Sequence, residues 1–132
     1  MRKPSRLILL LLIWLLLSII IGGCNSSSPS ATGVVESYLE ALAAKDLNQI
    51  INLSCSDWEA DAKLEFNSFA ADTIRLEDVV CHENRKDDDI TVVVCNGRII
   101  ASYGAEDLEI DLEEWTFRVR HQGGETLMCG HD

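Results

Sequence analysis

The stretch Leu108-Glu109-Ile110-Asp111-Leu112-Glu113-Glu114-Trp115-Thr116-Phe117-Arg118-Val119 alternates apolar and polar residues but changes parity part-way. Leu108, Ile110 and Leu112 share one face, and Trp115, Phe117 and Val119 continue that face only after a slip of one residue near Glu113-Glu114. Period-two alternation is the pattern of a half-buried strand, and a one-residue slip within it predicts a β-bulge that bends the sheet. Around this segment the same period recurs. Thr73 to Cys81, Ile90 to Tyr103 and Glu125 to Cys129 are rich in β-branched and apolar residues. Turn signals at Asp87-Asp88-Asp89, Gly104-Ala105-Glu106-Asp107 and Gln122-Gly123-Gly124 separate the four segments. The C-terminal half therefore reads as a curved four-stranded antiparallel meander.

Before Asp72 the period is helical. Val34, Val35, Tyr38, Leu39 and Leu42 fall on one face of a first helix, with Thr32 as its expected cap. Leu47, Ile50, Ile51 and Leu53 mark a short second helix after Asp46. Ser56-Asp57-Trp58-Glu59 has the spacing of a capping box and opens a third, for which Ala60, Leu64 and Phe69 are the expected inward residues. Three helices followed by a curved antiparallel sheet define an α+β domain over residues 32–132, with the helices gathered on one face of the sheet.

The first 23 residues have another character. Arg2, Lys3 and Arg6 precede an unbroken apolar run from Leu7 to Leu17, extended by Ile19, Ile20 and Ile21, which is the make-up of a signal peptide. The run is shorter than the roughly 20 residues a membrane-spanning helix needs. It closes on Ile21-Gly22-Gly23-Cys24, which resembles the bacterial lipobox. That resemblance implies cleavage before Cys24 and acylation of its thiol, so that the partner of the exported chain is membrane lipid. The implied location is extracytoplasmic, lipid-anchored to the cell membrane, or to the outer membrane in a cell that has one. Residues 24–31, the lipidated Cys24 and the polar Asn25-Ser26-Ser27-Ser28-Pro29-Ser30, read as a flexible tether that lifts the domain off the lipid.

Charge agrees with that location and excludes a nucleic-acid binder. The chain carries 11 basic and 22 acidic residues. Three of the basic ones precede Cys24, so the exported part has eight against 22, a net charge of −14. Phosphate contacts need clustered Lys and Arg, and none is found there.

Apart from Cys24, four cysteines remain, an even number in a domain that folds where disulfides persist. Three pairings are possible. A turn centred on Asp88 sets position 81 opposite position 95, which makes Cys81 with Cys95 a cross-strand bridge and leaves Cys55 with Cys129. The competing reading is a metal site, because Cys81-His82 and Cys129-Gly130-His131 bring thiols beside imidazoles. Paired Cys-x₂₋₄-Cys clusters are missing, so disulfides are expected and no metal. Asp87-Asp88-Asp89 likewise lacks the spacing of a calcium loop, and no motif calls for a cofactor.

At this point the chain resembles the nuclear transport factor 2-like, or cystatin-like, superfamily as found in small bacterial lipoproteins. The resemblance rests on the helical opening from Val34 through Tyr38-Leu39 to Lys45-Asp46, on Leu53-Ser54-Cys55, on Val93-Val94-Cys95-Asn96-Gly97-Arg98-Ile99 and on Cys129-Gly130. It departs from that pattern at Glu125-Thr126-Leu127-Met128, where relatives carry a Trp before the closing Cys-Gly. The resemblance implies a cone-shaped pocket, and for this chain we expect Tyr38, Trp58, Tyr103, Trp115 and Phe117 to be its candidate lining. It does not fix an activity, because the superfamily holds isomerases and dehydratases beside proteins that bind without catalysis. His82, His121 and His131 fall at strand ends or the terminus, where histidines are usually solvated, and Asp111 and Tyr103 cannot be placed beside Tyr38 by alternation. The leading expectation is a non-enzymatic domain that binds a small ligand or an envelope protein. The alternatives are an isomerase- or hydratase-like enzyme working in the cone, and a scaffold or assembly subunit.

Overall fold

The computed structural model describes residues 28–132, so the signal peptide, Cys24 and the first tether residues lie outside the described residues. Helix α1 (Ala31–Ala43) starts at Ser30, whose hydroxyl accepts from the Gly33 N–H at 3.0 Å. The cap therefore lies two residues before the expected Thr32, whose own hydroxyl hydrogen-bonds that of Ser30. Val34, Val35, Tyr38, Leu39 and Leu42 are all buried, as the helical spacing requires. Helix α2 (Leu47–Leu53) is capped by Asp46, which accepts from Gln49 N–H, and buries Ile50 alone fully.

Helix α3 (Glu59–Ser68) corrects the sequence reading twice. No side chain caps it; the Ser56 hydroxyl turns to Asp57, and the Cys55 carbonyl accepts from Trp58 and Glu59 instead. Its inward face carries Ala62, Glu65 and Phe66, flanked by Trp58 and Phe69, while Ala60 is exposed and Leu64 is 67% exposed. Covering three aromatic rings removes far more apolar surface from water than covering one leucine and one alanine, and that difference sets the rotation of the helix.

The sheet has five strands where four were expected. They are β1 (Thr73–Asp87), β2 (Ile90–Tyr103), β3 (Glu106–Asp111), β4 (Thr116–Gln122) and β5 (Glu125–His131), in the order β1-β2-β4-β5 with β3 also on β2. The single strand expected over Leu108–Val119 is broken by a 3₁₀ turn, Leu112–Glu114, at the place where parity slips. Asp111 caps this turn, accepting from Glu113 N–H at 2.9 Å. Leu112 rolls into the core and leaves Glu113 and Glu114 in solvent. Across the turn the register against β2 changes by one residue, from Arg98↔Asp111 to Val94↔Thr116, so β3 and β4 follow one another along the same edge of β2.

Strand β1 outruns its expected end at Cys81 and reaches the two-residue turn Asp88-Asp89. Cys81 and Cys95 are directly opposite one another and are joined, their Cα atoms 4.1 Å apart. Cys55 and Cys129 are joined as well and tie the α2–α3 connection to β5, beside a Cys55 N–H to Met128 carbonyl bond of 2.8 Å. Helices and sheet enclose one apolar core.

The first of two irregularities in β1, between Glu77 and Val80, faces Gly97. Gly97 has φ +104°, and a Cβ there would stand 2.6 Å from the Glu77 carbonyl oxygen and 2.7 Å from that of Asp78. Both obstacles are backbone. Gly97→Ala is expected to cost about 3 kcal/mol from combined dihedral strain and overpacking, read as a lowered midpoint in urea with an unchanged slope. A shift within the noise of the wild-type curve would show that the β1 irregularity yields freely.

Candidate functional site

Three elements bring polar side chains to one point inside the fold. Tyr38 comes from the inward face of α1 and is 1% exposed. Glu65 comes from α3, seven residues after Trp58 and hence two helical turns along the same stripe. His131 comes from β5, where pairing with Phe117 turns both side chains to the core face. The Tyr38 hydroxyl donates to Glu65 Oε2 at 2.6 Å, and His131 Nε2 meets Glu65 Oε1 at 2.7 Å. Both carboxylate oxygens of Glu65 thus have a polar partner within hydrogen-bonding distance. The carboxylate side chain is 10% exposed and the imidazole 17%.

Aromatic rings close around this chain of hydrogen bonds. Trp115 stacks on His131 with centroids 4.2 Å apart and planes 4° from parallel. Trp58 meets the imidazole edge-on at 5.5 Å, and Phe117 lies tilted at 5.7 Å. Gly130 makes the approach of Trp58 possible, because its φ is +123° and a Cβ would fall 3.3 Å from the indole and 2.8 Å from the Arg118 guanidinium. The Cys55–Cys129 bridge brackets the cluster, three residues before Trp58 and two before His131.

Burial pushes the Tyr38 hydroxyl well above the ordinary tyrosine range, and the negative charge of Glu65 beside it pushes further in the same direction. The phenol is thus held neutral as a donor. The Trp58 indole N–H offsets part of this shift, although it is buried without a partner of hydrogen-bonding geometry.

Of the five residues expected to line a pocket, Tyr38, Trp58, Trp115 and Phe117 converge here, and Tyr103 does not. It sits at the far end of β2 and is 41% exposed. Tyr38, Phe117, Leu112 and Met128 fill the interior of the cone. Asp111 serves the 3₁₀ turn; His82 is exposed on β1, and His121 is engaged with Thr126 at 3.0 Å. Sequence reasoning missed Glu65 and His131. The stripe Trp58, Ala62, Glu65, Phe66, Phe69 was the available signal for the first, and the alternation Thr126, Met128 interrupted at Gly130 conceals the second.

Two cavities open elsewhere. A cleft of about 280 Å³ lies between the C-terminal ends of α1 and α3 and the start of β1, lined by Leu42, Phe66, Phe69 and Ile74 with Lys45 at its rim. The Lys45 ammonium donates to the carbonyls of Ala71 and Asp72. A groove of about 410 Å³ runs between α2 and β5, lined by Ser28, Pro29, Asn52, Leu53, Thr126 and Leu127.

Three helices against a curved, non-closed antiparallel sheet constitute the nuclear transport factor 2-like fold. Solved structures agree. A chain named Rd1NTF2_05 with five substitutions superposes with a TM-score of 0.52 at 11% identity, over 75% of this chain and 91% of its own. RPA3114, a SEC-C motif containing protein from Rhodopseudomonas palustris, matches at 0.51 and 13%, over 79% and 80%. No protein-family model matches the chain, and no curated protein does.

Proposed function

We propose that the protein is an exported lipoprotein, held to the membrane by acyl chains on Cys24, whose nuclear transport factor 2-like domain binds an envelope protein or small ligand without catalysis. One observation carries the non-enzymatic reading: both oxygens of Glu65 are engaged inside a filled cone, one by Tyr38 and one by His131. A carboxylate bound in this way links α1, α3 and β5, and it lines neither of the two cavities described above. The apolar cleft beside Lys45 is the surface best suited to a ligand. Cysteine usage supports the location, since all four cysteines of the described domain are paired, which suits an oxidising compartment. Hydration or isomerisation by the Glu65–His131 pair is the second reading, and the convergence of two ionisable groups is what favours it.

Intact mass of membrane-extracted protein tests the anchor. The expected mass lacks residues 1–23, carries added acyl chains and rises by about four hydrogens on reduction of the two bridges. Cys24→Ala should retain the leader and lose the acyl mass. An unacylated wild-type chain overturns the reading.

A further inference from the structure

The tether does not run free to the helix. The Ser28 hydroxyl donates to the Gly124 carbonyl at 2.6 Å, Ser28 and Pro29 form one wall of the α2–β5 groove, and Ser30 caps α1. Only Asn25, Ser26 and Ser27 separate Cys24 from a residue attached to the folded body. Four residue steps of fully extended chain span at most about 14 Å. The domain is longer than that. Strand β2 has 14 residues, about 45 Å of extended chain, and runs from the β1–β2 turn, which lies beside the β4–β5 turn, to the β2–β3 turn at Gly104.

From these lengths we infer that the protein does not tumble on its anchor: the end bearing the β4–β5 turn and the α2–β5 groove lies against the lipid headgroups. The Leu42–Lys45–Ile74 cleft, at the opposite end of α1 and at the start of β1, then faces away from the membrane. The partner of this surface is the headgroup layer of the bilayer that holds the acyl chains. Charge permits the approach. Around the β1–β2 and β4–β5 turns, Arg85, Lys86 and Arg120 stand against Asp57, Asp87, Asp88, Asp89 and Glu125, a net charge of −2 in a domain of −14. Arg85 pairs with Asp87 at 2.7 Å and Arg120 with Asp89 at 3.4 Å, so the cations are held at this end. Bases offset most of the acids here, which weakens the repulsion from an anionic leaflet.

The inference rests on acylation at Cys24, and the experiment separates the two. Full-length mature protein is reconstituted in phosphatidylethanolamine–phosphatidylglycerol vesicles containing a nitroxide-headgroup lipid. A fluorophore is attached through a bio-orthogonal side chain at Gln122 or at Ala105, both exposed. Quenching is expected to be several-fold stronger at position 122 than at 105. A flexible insert between Ser26 and Ser27 should remove the difference while the protein still floats with the vesicles. Equal quenching at the two positions, stronger quenching at 105, or a difference that survives the insert overturns the orientation. A wild-type chain that fails to float overturns the acylation reading, and the orientation with it.

Discussion

Replacing Cys55 and Cys129 together by alanine is expected to lower the stability of the extracted full chain by about 4–5 kcal/mol, against about 3 kcal/mol for the Cys81–Cys95 pair. The difference follows from loop length. One bridge closes a sequence separation of 74 residues and the other of 14. The shorter loop is already closed by the β1–β2 hairpin, in which Cys81 and Cys95 are register partners, so removing its bridge leaves their backbone ladder in place. The longer loop joins the helical layer to the sheet, and beside it stand one backbone bond from Cys55 to Met128 and the adjacent Ser54–Met128 bridge, with no hairpin ladder to hold its ends together. With domain stabilities commonly near 5–15 kcal/mol, the loss can consume most of what is available. Urea titration of the two double variants checks the ranking, and a larger loss for the hairpin pair would contradict it.

The second large effect concerns Glu65. Glu65→Leu removes the acceptor of both Tyr38 and His131 and leaves two poorly hydrated donors without partners. At about 1–3 kcal/mol for each unsatisfied group, a loss of about 3–5 kcal/mol is expected. Tyr38→Phe alone should cost less, because it takes away the donor and its partner Glu65 keeps His131. In the triple context Tyr38→Phe, Glu65→Leu, His131→Leu the loss should be smaller than the sum of the single losses, since no orphan remains. A Glu65→Leu variant as stable as wild type would remove the carboxylate's linking role. Alkaline pH supplies an independent check. The folded-state pKa of Tyr38 lies above its unfolded value, so between the two the native state binds more protons. Stability should therefore fall as pH rises past the unfolded tyrosine value of about 10, and Tyr38→Phe should flatten that part of the profile.

Much of the architecture could be read from residue patterns. The inward face of α1, the change of period after Asp72 and the parity slip in Leu108–Val119 all come from burial on one side of a regular element, which sequence periodicity records directly. The slip itself could be located, but its form could not. A bulge and a 3₁₀ turn insert the same single residue, and the alternation alone does not show that Leu112 is buried while Asp111 caps a turn. The rotation of α3 was hidden for a related reason. A spacing of four residues fits Ala60 and Leu64 as well as Ala62 and Phe66, and tertiary packing of Trp58 and Phe69 decided between them. The site was the least legible part. Glu65 reads as one more acid in an acidic chain until α1 supplies Tyr38 and β5 supplies His131, 27 and 66 residues away. His131 ends a strand, where imidazoles are usually wet, and the rings of Trp115, Trp58 and Phe117 dry it.

Strand β2 has a neighbour along both sides, so exposed ladder groups belong to the outer strands β1, β3 and β5. These margins are guarded differently. From His82 to Asp87 strand β1 is solvent-facing and carries an imidazole, two acids and two bases, side chains that resist stacking against another copy. The margin of β5 is occupied by Ser54 and Cys55 of its own chain and flanked by Ser28 and Pro29. The free edge of β3 carries Glu106, Asp107, Glu109 and Asp111, so two copies brought together there would set like charges side by side instead of zipping into a shared sheet.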